Sequence, residues 1–428
     1  MPGRSGQDGH LPEVIPFPIT DSASAADIAE RLAGTAFQGR NLGRAAAIWE
    51  AMLRDQSTIF MGLAGAMVPA GMRPLIVYLI ENRLIDVLVS TGANLYHDVY
   101  ETLGHPHFQS ACGGDGGDDV HLASLRVYRF YDILAPEHEF SIGERFLTEF
   151  SLTLDEDRPY TTREYFHLLG KAMAPVAKAE GILTAAAKHG VPVYCPAFGD
   201  SVHGLAVAEG RLRTGKHVAF DIIADVLETA HLSLTANKTG VVYVAGGTPK
   251  NFIQQAGVAA YLFQRQRPGH SYGIQVTTDE PQWGGLSGCT FEEAQSWRKI
   301  APNARFVTTN VDATIGMPLI VSALAEKAKD AIAARKLPEW TGIIASTRAA
   351  LRTPSGAASP QNSAPVSGPL AMPDQRFWPP RSFAALDEGC HSERRGRSLG
   401  GRRLPRRNLG WGERPVSPIT AVRTIRVP

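Results

Sequence analysis

Apolar runs alternate with helical segments through the middle of the chain, and this order constrains the fold more than any other feature. Most of the runs suit buried strands and are followed by small or turn residues and then by a helical pattern. The predicted strands are residues 85–89, 191–194, 218–222, 241–245, 273–276 and 306–308. The alternation predicts an α/β fold whose mostly parallel sheet is flanked by helices, with ligands at the carboxyl ends of the strands.

Helical patterns flank this region. Asp21 or Ser22 is expected to cap a helix through AADIAERLA that ends at Gly34, and GRAAAIWEAMLRD predicts a second helix. Residues 317–336 predict one long amphipathic helix, with Pro318 in its first turn, that closes the folded body. The chain is therefore divided into an arm at residues 1–20, a domain at residues 21–340 and a tail at residues 353–428.

The tail differs from the body in charge. It contains 12 Arg, no Lys, 5 acidic residues and 11 of the 29 prolines, a composition that predicts disorder. Two alternatives are an arm that binds nucleic acid or membrane and a read-through of an unselected reading frame. The first 352 residues carry 31 basic and 37 acidic side chains, a formal charge of −6. This acidic body argues against nucleic acid as the main partner and is compatible with a polycationic substrate.

Cysteine usage and hydropathy bear on location. The four cysteines lie far apart and form no CxxC pair, which excludes a zinc ribbon and indicates a reducing compartment: Cys112, Cys195, Cys289 and Cys390. The N-terminal segment has no apolar signal-peptide core. The most apolar stretch, residues 74–89, is too short and too charged to span a bilayer. We therefore expect a cytoplasmic protein with no membrane partner.

Two strand-to-loop junctions suggest ligand sites. LVSTGANLYHD places small residues directly after an apolar run, which permits close approach of a ligand, although an ordinary tight turn explains it too. In VVYVAGGTPKNFIQQA, Thr248 is expected to be the N-cap and Pro249 the first helical residue. Such a helix N-terminus is a natural anion site to which Lys250 would add charge, and plain capping is the structural alternative.

A third junction contains a candidate nucleophile. In GCTFEEAQSWRKI, Thr290 and Glu293 form a T-x-x-E capping box, and Glu293 and Trp297 are expected to share a helix face. Lys299 follows two residues later. A lysine desolvated beside an indole has a lowered pKa and becomes available for imine chemistry, whereas most lysines are simply exposed.

These junctions, in this order, resemble the deoxyhypusine synthase family. EEAQSWRKI is similar to the family's active-lysine motif E-A-x-S-W-G-K, with Arg298 in place of the glycine. The resemblance covers most of residues 37–325 and includes FQGRNL, STIFMGLAGAMVPAGMR, LVSTGAN, VPVYCPAFGDS, AGGTPK and NVDATIGMPLI. Several matched blocks in one order are more specific than any single block. The chain is closest in kind to the divergent, deoxyhypusine-synthase-like branch of prokaryotes, which is related to homospermidine synthases.

The resemblance implies an NAD-dependent transferase that works as a homotetramer with a Rossmann-like sheet and sites at subunit interfaces. In the family, NAD oxidises spermidine, and the aminobutyl group is held as an imine on the active lysine before an acceptor amine takes it. Lys299 corresponds to that lysine, and Glu293 and Trp297 to residues of the amine pocket. The positions that correspond to NAD contacts are Gly65, Ala66, Thr91, Gly92, Ala93, Asp200, Gly246, Gly247, Thr278 and Asp312.

The amine pocket departs from the family pattern. His97 replaces a substrate-binding glutamate, Asn251 a pocket histidine and Gln255 an asparagine. Leu286 replaces an aspartate that holds one end of spermidine, and Trp283 replaces an acid near the cofactor. Each lost anionic anchor removes a charge-assisted contact of about 1.5–3 kcal/mol. The chemistry of transfer is therefore expected to be kept, whereas the acceptor is either a protein lysine, as in hypusine formation, or a free diamine such as putrescine.

Two other classes of function remain as alternatives. One is a protein that binds NAD or polyamine without catalysis, against which the retained Glu293, Trp297 and Lys299 argue. The other is a metal hydrolase that uses the segment HPHFQSACGGDGGDDVH, although its spacing matches no closed site. The residues concerned are His105, His107, Cys112, Asp115, Asp118, Asp119 and His121. No metal is expected.

Overall fold

Six parallel strands form the central sheet of this computed structural model. The structure describes residues 13–110, 118–264, 269–336, 338 and 340, without the side chains of residues 261–264. The strands in sheet order are β6 (Val193–Tyr194), β2 (Val87–Ser90), β1 (Thr58–Leu63), β7 (Thr239–Val244), β8 (His270–Thr277) and β9 (Ile300–Asn310). Taken by their position in the chain, the six strands follow the order 3-2-1-4-5-6, which is that of a doubly wound dinucleotide-binding sheet. The predicted α/β fold is confirmed.

Helices cover both faces of the sheet. They are α1 (Ala25–Gly34), α2 (Phe37–Arg54), α3 (Arg73–Glu81), α4 (Gly92–Thr102), α5 (Asp119–Ser124), α6 (Glu137–Thr153), α7 (Thr162–Met173), α8 (Ile182–His189), α9 (Val202–Thr214), α10 (Ile222–Thr235), α11 (Gly247–Gln264), α12 (Phe291–Ser296), α13 (Ala313–Lys327) and α14 (Lys329–Ala333). A small antiparallel sheet has the order β3 (Phe108–Gln109), β5 (Ile133–Pro136) and β4 (Val127–Phe130). None of its three strands was predicted from the sequence.

The central strand β1 was also missed, although its burial explains the architecture. Ile59, Met61 and Leu63 pack on one face of the sheet with the α2 residues, whereas Phe60 joins a second core with Tyr243 on the other face. Every residue of β1 is buried. A strand covered on both faces reads as a continuous apolar run, and TIFMGL between Ser57 and the following Ala-Gly is such a run.

Five of the six predicted strands are confirmed, and the prediction at residues 218–222 is wrong. That segment contributes only an isolated bridge from Phe220 to Tyr160. The Asp221 side chain accepts a hydrogen bond of 2.9 Å from the backbone N–H of Ala224 and begins α10. The capping carboxylate therefore converts an apolar run into a helix start.

Two helix boundaries differ from prediction for similar reasons. Ser24, rather than Asp21 or Ser22, caps α1 and forms a reciprocal capping box with Asp27. The predicted helix at residues 317–336 is two helices, because the backbone leaves helical geometry at Ala328. The first of them, α13, begins four residues earlier than predicted, because Asp312 caps it. Pro318 consequently lies inside α13 rather than in its first turn.

The end of the folded body is anchored by a buried ion pair. Arg335, which follows α14, pairs with Asp86, and both side chains are almost fully buried. Asp86 also accepts from the N–H of Ile59 at 2.8 Å, and Arg335 donates to the carbonyl of Ser57 at 2.8 Å. Residues 13–20 contain no helix or strand, and the N–H of Ile15 donates to the carbonyl of Gly34 at 2.9 Å. The predicted tail lies outside the described residues.

Candidate functional site

The loops that follow the carboxyl ends of the six parallel strands lie along one edge of the sheet, and we call this line of loops the crevice. Every strand of this sheet is followed by at least one residue predicted to contact the cofactor. In sheet order these are Asp200 after β6, Thr91, Gly92 and Ala93 after β2, Gly65 and Ala66 after β1, Gly246 and Gly247 after β7, Thr278 after β8, and Asp312 after β9. The fold therefore brings all ten to one edge of the molecule, where doubly wound sheets bind dinucleotides.

Two glycines have left-handed backbone at the point where the strand order reverses, between β1 and β7. Gly65 has a φ of +75° and Gly247 a φ of +55°. A Cβ added to Gly65 would lie 3.3 Å from the Cε of Met67, whereas one added to Gly247 would meet only Ala64 and Pro249, at 3.9 and 4.0 Å. Glycine in a left-handed conformation lets a bulky ligand approach the main chain. The main chain at Gly247 is therefore the more open of the two.

Two other predicted glycines have a structural explanation. A Cβ on Gly92 would lie 2.2 Å from the Cβ of Ser201, and one on Gly246 would lie 2.6 Å from the Cα of Ser287. Both glycines therefore permit neighbouring loops to pack closely, whatever their contact with a ligand. For Gly92 this agrees with the ordinary-turn alternative that the sequence left open, and the cofactor roles of both glycines stay predictions.

Asn94 holds the loops after β1 and β2 together. Its Nδ2 donates to the carbonyl of Gly65 at 2.7 Å and to the hydroxyl of Thr91 at 3.0 Å, and its Oδ1 accepts from the N–H of Val68 at 3.1 Å. Asn94 is 1% exposed. We therefore assign Asn94 to positioning of the crevice rather than to ligand contact.

The predicted start of α11 is wrong by two residues. The helix begins at Gly247, so Thr248 lies in its first turn and does not precede it. The N–H of Gly247 donates to the hydroxyl of Ser287 at 2.9 Å. Lys250 does not add charge at this helix end, because its side chain is 1% exposed and turns away towards residues 275–289.

The predicted acidic cofactor residues occupy different settings. Asp312 accepts hydrogen bonds from the N–H and the hydroxyl of Thr314, at 2.7 and 2.6 Å, and so acts as the N-cap of α13. Asp200 lies exposed on the loop between β6 and α9, and Thr278 is exposed after β8. Of the two carboxylates, Asp200 has more freedom to accept from ribose hydroxyls.

A cavity of about 200 Å³ lies beside the crevice and contains the predicted nucleophile. It is bounded by α11, the end of α12 and the segment between β8 and α12. Its lining comprises Lys250, Asn251, Gln254, Pro281, Gly284, Gly285, Leu286, Cys289, Glu293, Ala294, Trp297 and Lys299. We call it the lysine pocket. It brings together Lys299, Glu293, Trp297 and Asn251, as predicted.

Lys299 is partly buried at the edge of this pocket. Its Nζ lies 3.5 Å from the Oδ1 of Asn251 and 5.5 Å from the centroid of the Trp297 ring. The expected shared helix face of Glu293 and Trp297 is wrong, because α12 ends at Ser296 and Trp297 begins a turn. The indole is 65% exposed, so in this single chain it covers the lysine only in part.

The turn before Lys299 carries local strain. Arg298 has a φ of +56°, a conformation that glycine adopts most readily, and this is the position at which the resembling motif has glycine. An L-residue in this region costs on the order of 1–2 kcal/mol. The backbone that aims Lys299 is therefore kept even though the residue that favours it has been replaced.

Lys250 was predicted to add charge at the N-terminus of α11, but its side chain is buried in the wall of the lysine pocket. Its Nζ donates to the Oε1 of Gln275 at 2.8 Å and to the carbonyls of Cys289 and Ser287 at 2.5 and 3.3 Å. Burial lowers the pKa of Lys250 to about 8. Three acceptors match the three protons of an ammonium, so Lys250 holds the wall of the lysine pocket in place.

Charges in the lysine pocket are unbalanced. Among its lining residues, Lys250 and Lys299 face a single carboxylate, Glu293, which lies exposed at the mouth. Burial raises the pKa of the Cys289 thiol, an effect that Lys250 partly offsets and the Glu293 carboxylate reinforces. Thr290 caps α12 by accepting from the N–H of Glu293 at 3.1 Å, which is the first half of the predicted capping box.

Two predicted substrate residues lie outside the lysine pocket of this chain. His97 is 6% exposed and its ring contacts His107, at 2.9 Å between ring nitrogens, and Phe130. Burial, with a smaller effect of His107, lowers the pKa of His97 to about 3, so this imidazole is neutral at ordinary pH. Gln255 is exposed on α11, whereas its neighbour Gln254 lines the pocket. The substrate roles of His97 and Gln255 stay predictions for a site that a second subunit would complete.

The described part of the chain offers no support for a metal hydrolase. Within residues 13–110, 118–264 and 269–336, no three His, Cys, Asp or Glu residues come close enough to hold a metal ion. Cys112 and Asp115 of the candidate segment lie outside the described residues. None of the helices described is long and apolar enough to cross a membrane.

Comparison with known proteins adds sequence relatives to this geometry. The sequence profile of deoxyhypusine synthase matches residues 27–324. "Probable deoxyhypusine synthase 2" of Methanosarcina acetivorans is 45% identical over 309 residues, which cover 72% of this chain and 88% of the relative. The protein of the same name from Archaeoglobus fulgidus is 44% identical over 73% of this chain and 100% of the relative. The "deoxyhypusine synthase-like protein" of Elusimicrobium minutum is 36% identical over 71% and 81%.

Proposed function

Because the chain belongs to the deoxyhypusine synthase family of transferases, we propose that it moves an aminobutyl group from spermidine, or a similar polyamine, to an acceptor amine. NAD is the proposed cofactor, and Lys299 carries the group as an imine. The observation that carries the proposal is the position of Lys299 in a polar pocket, beside Asn251 and Trp297, in a chain whose sheet has the strand order of dinucleotide-binding folds.

When bound, NAD supplies a hydride acceptor and later returns the hydride. The protein's part is to bind and orient the amines. Lys299 attacks as a free amine, displaces the leaving amine of the oxidised donor and forms a C=N bond to the four-carbon group. The acceptor amine then attacks the same carbon and releases Lys299. Asn251 accepts from the Nζ of Lys299 and fixes its direction, and Trp297 flanks it.

Crevice residues are proposed to hold the cofactor. Gly65 and Gly247 admit it at the switch point, and Asp200 binds ribose hydroxyls. Thr91, Ala93 and Thr278 lie at neighbouring strand ends. A homotetramer with pockets completed at its interfaces, and a cytoplasmic location, belong to the same proposal.

The acceptor has two candidates, and one observation favours the second. A protein lysine is the acceptor in hypusine formation, whereas a free diamine such as putrescine would give homospermidine or a relative. Leu286 lines the lysine pocket where the family pattern has an aspartate, and Asn251 takes the place of a histidine. A pocket with fewer anionic anchors binds a long polycation less firmly, which favours a small amine.

Borohydride trapping tests the proposal. The purified protein is incubated with NAD, labelled spermidine and unlabelled putrescine, reduced, digested and mapped. We expect label on the peptide that contains Lys299, its loss in Lys299→Ala and its retention in Lys329→Ala, where an exposed lysine of α14 is removed. The labelled free product identifies the acceptor. Absence of trapped label and of NAD-dependent product with either amine would leave a binding protein without catalysis.

A further inference from the structure

Two imidazoles, a carboxylate and a guanidinium form one line of close polar contacts beside α4. The Nδ1 of His97 lies 2.9 Å from the Nε2 of His107, and the Nδ1 of His107 lies 2.8 Å from the Oε1 of Glu101. The Oε2 of Glu101 lies 2.8 Å from the Nε of Arg73. His97 and His107 are almost fully buried, and Glu101 and Arg73 are mostly buried. We call these four residues the histidine chain.

The contacts of the histidine chain determine which ring nitrogens carry hydrogen. A carboxylate only accepts, so the Nδ1 of His107 donates to Glu101. Arg73 already balances the charge of Glu101, so the resting chain needs no further proton. The Nε2 of a neutral His107 is an acceptor, and the Nδ1 of His97 donates to it. The other nitrogen of His97, Nε2, therefore carries a lone pair and no hydrogen.

The Nε2 of His97 is the open end of the histidine chain. In the described part of the protein it has no hydrogen-bond partner, and it is not one of the fully enclosed nitrogens that lack one. Ala93, His97 and Glu101 are spaced four residues apart and share one face of α4. Side chains on a helix lean towards its N-terminus, so His97 leans towards the turn of Ala93, which is exposed at the crevice.

We propose that the histidine chain is a proton relay that takes a proton from the ammonium of an amine substrate at the crevice. The Nε2 of His97 accepts that proton, the proton on its Nδ1 passes to the Nε2 of His107, and Glu101 stabilises the resulting imidazolium. One proton enters at His97, one moves to His107, and the amine keeps its electron pair. His97 is the catalytic residue, and His107 and Glu101 are positioning residues.

The inference deepens the proposed transfer and rests on it, because an amine must be uncharged before it can lose a hydride or attack an imine. It also explains how a buried imidazole can act as a base. Burial holds the pKa of His97 at about 3, so the ring cannot keep a proton by itself. Passing the Nδ1 proton on moves the charge to His107, which contacts a carboxylate.

The groups around the histidine chain do not replace it. The other titratable residues there are Tyr96, Tyr100 and the pair of His105 with Glu139. Burial raises the pKa of both phenols, so each keeps its proton and neither accepts one from the substrate. The Nδ1 of His105 lies 3.5 Å from Glu139, outside the line of contacts, which makes His105 a suitable control.

Nitrogen-15 NMR of the full chain with labelled histidine tests the resting state. At pH 7.5 we expect a hydrogen on the Nδ1 of both His97 and His107 and none on either Nε2. Loss of signals in His97→Gln and His107→Phe assigns them. A hydrogen on the Nε2 of His97, or a doubly protonated His107, would overturn the proposal, because the open end would then be a donor.

Reaction rates test the relay itself. His107→Phe keeps a ring beside Tyr100 and Phe130 but removes the proton acceptor. We expect amine consumption at saturating amine to slow about a hundredfold at pH 7.5, with NAD affinity unchanged. The deficit should shrink towards pH 10, where the amine is already uncharged, since its pKa is about 10. His105→Phe should match the unaltered protein, and equal losses in the two variants contradict the relay.

The two proposals fail separately. The transfer fails if the unaltered protein traps no label on Lys299, whatever the NMR spectra show. The relay fails, and the transfer stands, if label is trapped while a folded His107→Phe protein keeps its full rate. If His107→Phe does not fold, Glu101→Gln retains an acceptor for the Nδ1 of His107 but removes the charge, and an unchanged rate in that variant rejects the relay.

Discussion

The crevice and the lysine pocket are built in different ways. The crevice depends on backbone at the ends of six strands that are far apart in the chain, and on small residues such as Gly65 and Gly247. The lysine pocket is formed by side chains from residues 250–299. The first region therefore depends on backbone conformation, whereas the second depends on individual side chains such as Asn251 and Leu286. The contrast teaches that single substitutions can alter the pocket more readily than the crevice.

The variant with the largest expected effect tests whether the backbone conformation at Gly247 is what admits NAD to the crevice. Gly247→Val places a branched side chain at a φ of +55° in otherwise open space. We expect NAD to bind about a hundredfold more weakly, or about 2.7 kcal/mol, because the Cβ branches fill the approach to the main chain. Amine binding should change little, and titration of both ligands measures this.

Gly190→Val is the matched control for strain. Gly190 has a φ of +70° and also faces open space, but it ends α8 away from the crevice. If both variants weaken NAD equally, general destabilisation rather than the crevice explains the loss, and the proposed cradle is wrong.

The next effect concerns Lys250, the buried side chain on which the pocket wall depends. Lys250→Met leaves three oxygens without their donor, so we expect the free energy of unfolding to fall by about 2 kcal/mol at pH 7. Chemical denaturation measures this. An exposed-site control, Lys329→Met, should stay within about 0.5 kcal/mol of the unaltered protein.

The pH dependence of that difference has a definite sign. The pKa of Lys250 is lowered to about 8 in the folded state, against 10.5 without the protein's burial. Between these values the unfolded chain holds a proton that the folded chain has lost, so the stability conferred by Lys250 rises with pH across this window. The gap between unaltered protein and Lys250→Met should therefore widen from pH 8 towards 10.5. If this difference in the free energy of unfolding narrowed instead, the amine of Lys250 would keep its proton in the folded protein.

A smaller effect tests whether side-chain charge alone sets the substrate. Leu286→Asp returns an acid to the pocket wall, and because this position is 48% exposed we discount the contact to about 1 kcal/mol. Spermidine should then bind about fivefold more tightly, with NAD affinity unchanged. Equal gains for spermidine and for an uncharged amine analogue would show that the effect is not electrostatic.

The smallest effect probes the one place where the pocket depends on backbone. Arg298→Gly relieves a φ of +56°, and we expect about 0.5–1 kcal/mol of added stability, although glycine also frees the unfolded chain. Arg126→Gly, at the same φ in the loop before β4, should give a similar gain. Only the variant at residue 298 should alter the rate of labelling at Lys299.

The same contrast explains what the sequence could predict. All ten cofactor positions were assigned by resemblance, and eight of them also follow a strand that was predicted from the sequence. Gly65 with Ala66 came from resemblance alone, because β1 was not recognised. Residues 218–222 were predicted as a strand because they are mostly apolar, although Asp221 within them caps a helix. These errors are local, and the predicted α/β fold with a mostly parallel sheet is confirmed despite them.

The lysine pocket was less predictable, because the burial of its side chains depends on contacts with residues that are distant in the sequence. Lys250 looked like an exposed cation at a helix end, and only the segment around Ser287 and Cys289 shows that it is enclosed. Helical spacing from Lys250 does place Gln254 on the same face and Gln255 off it, so this signal was available. The motif alignment instead favoured Gln255. Whether a neighbouring subunit brings His97 to the pocket depends on contacts that one sequence does not encode locally.

The pairing of β1 with β7 also has a consequence for how the chain reaches its native state. Thr58 lies opposite Thr239, so the middle of the sheet forms only after a very long loop has closed. Such closure is entropically costly, and folds dominated by distant contacts form slowly. During synthesis, β1 and β2 must wait with one edge unpaired until β7 emerges. The seam between β1 and β7 is therefore a late contact of the nascent protein, and only β8 and β9 are added to the sheet after it.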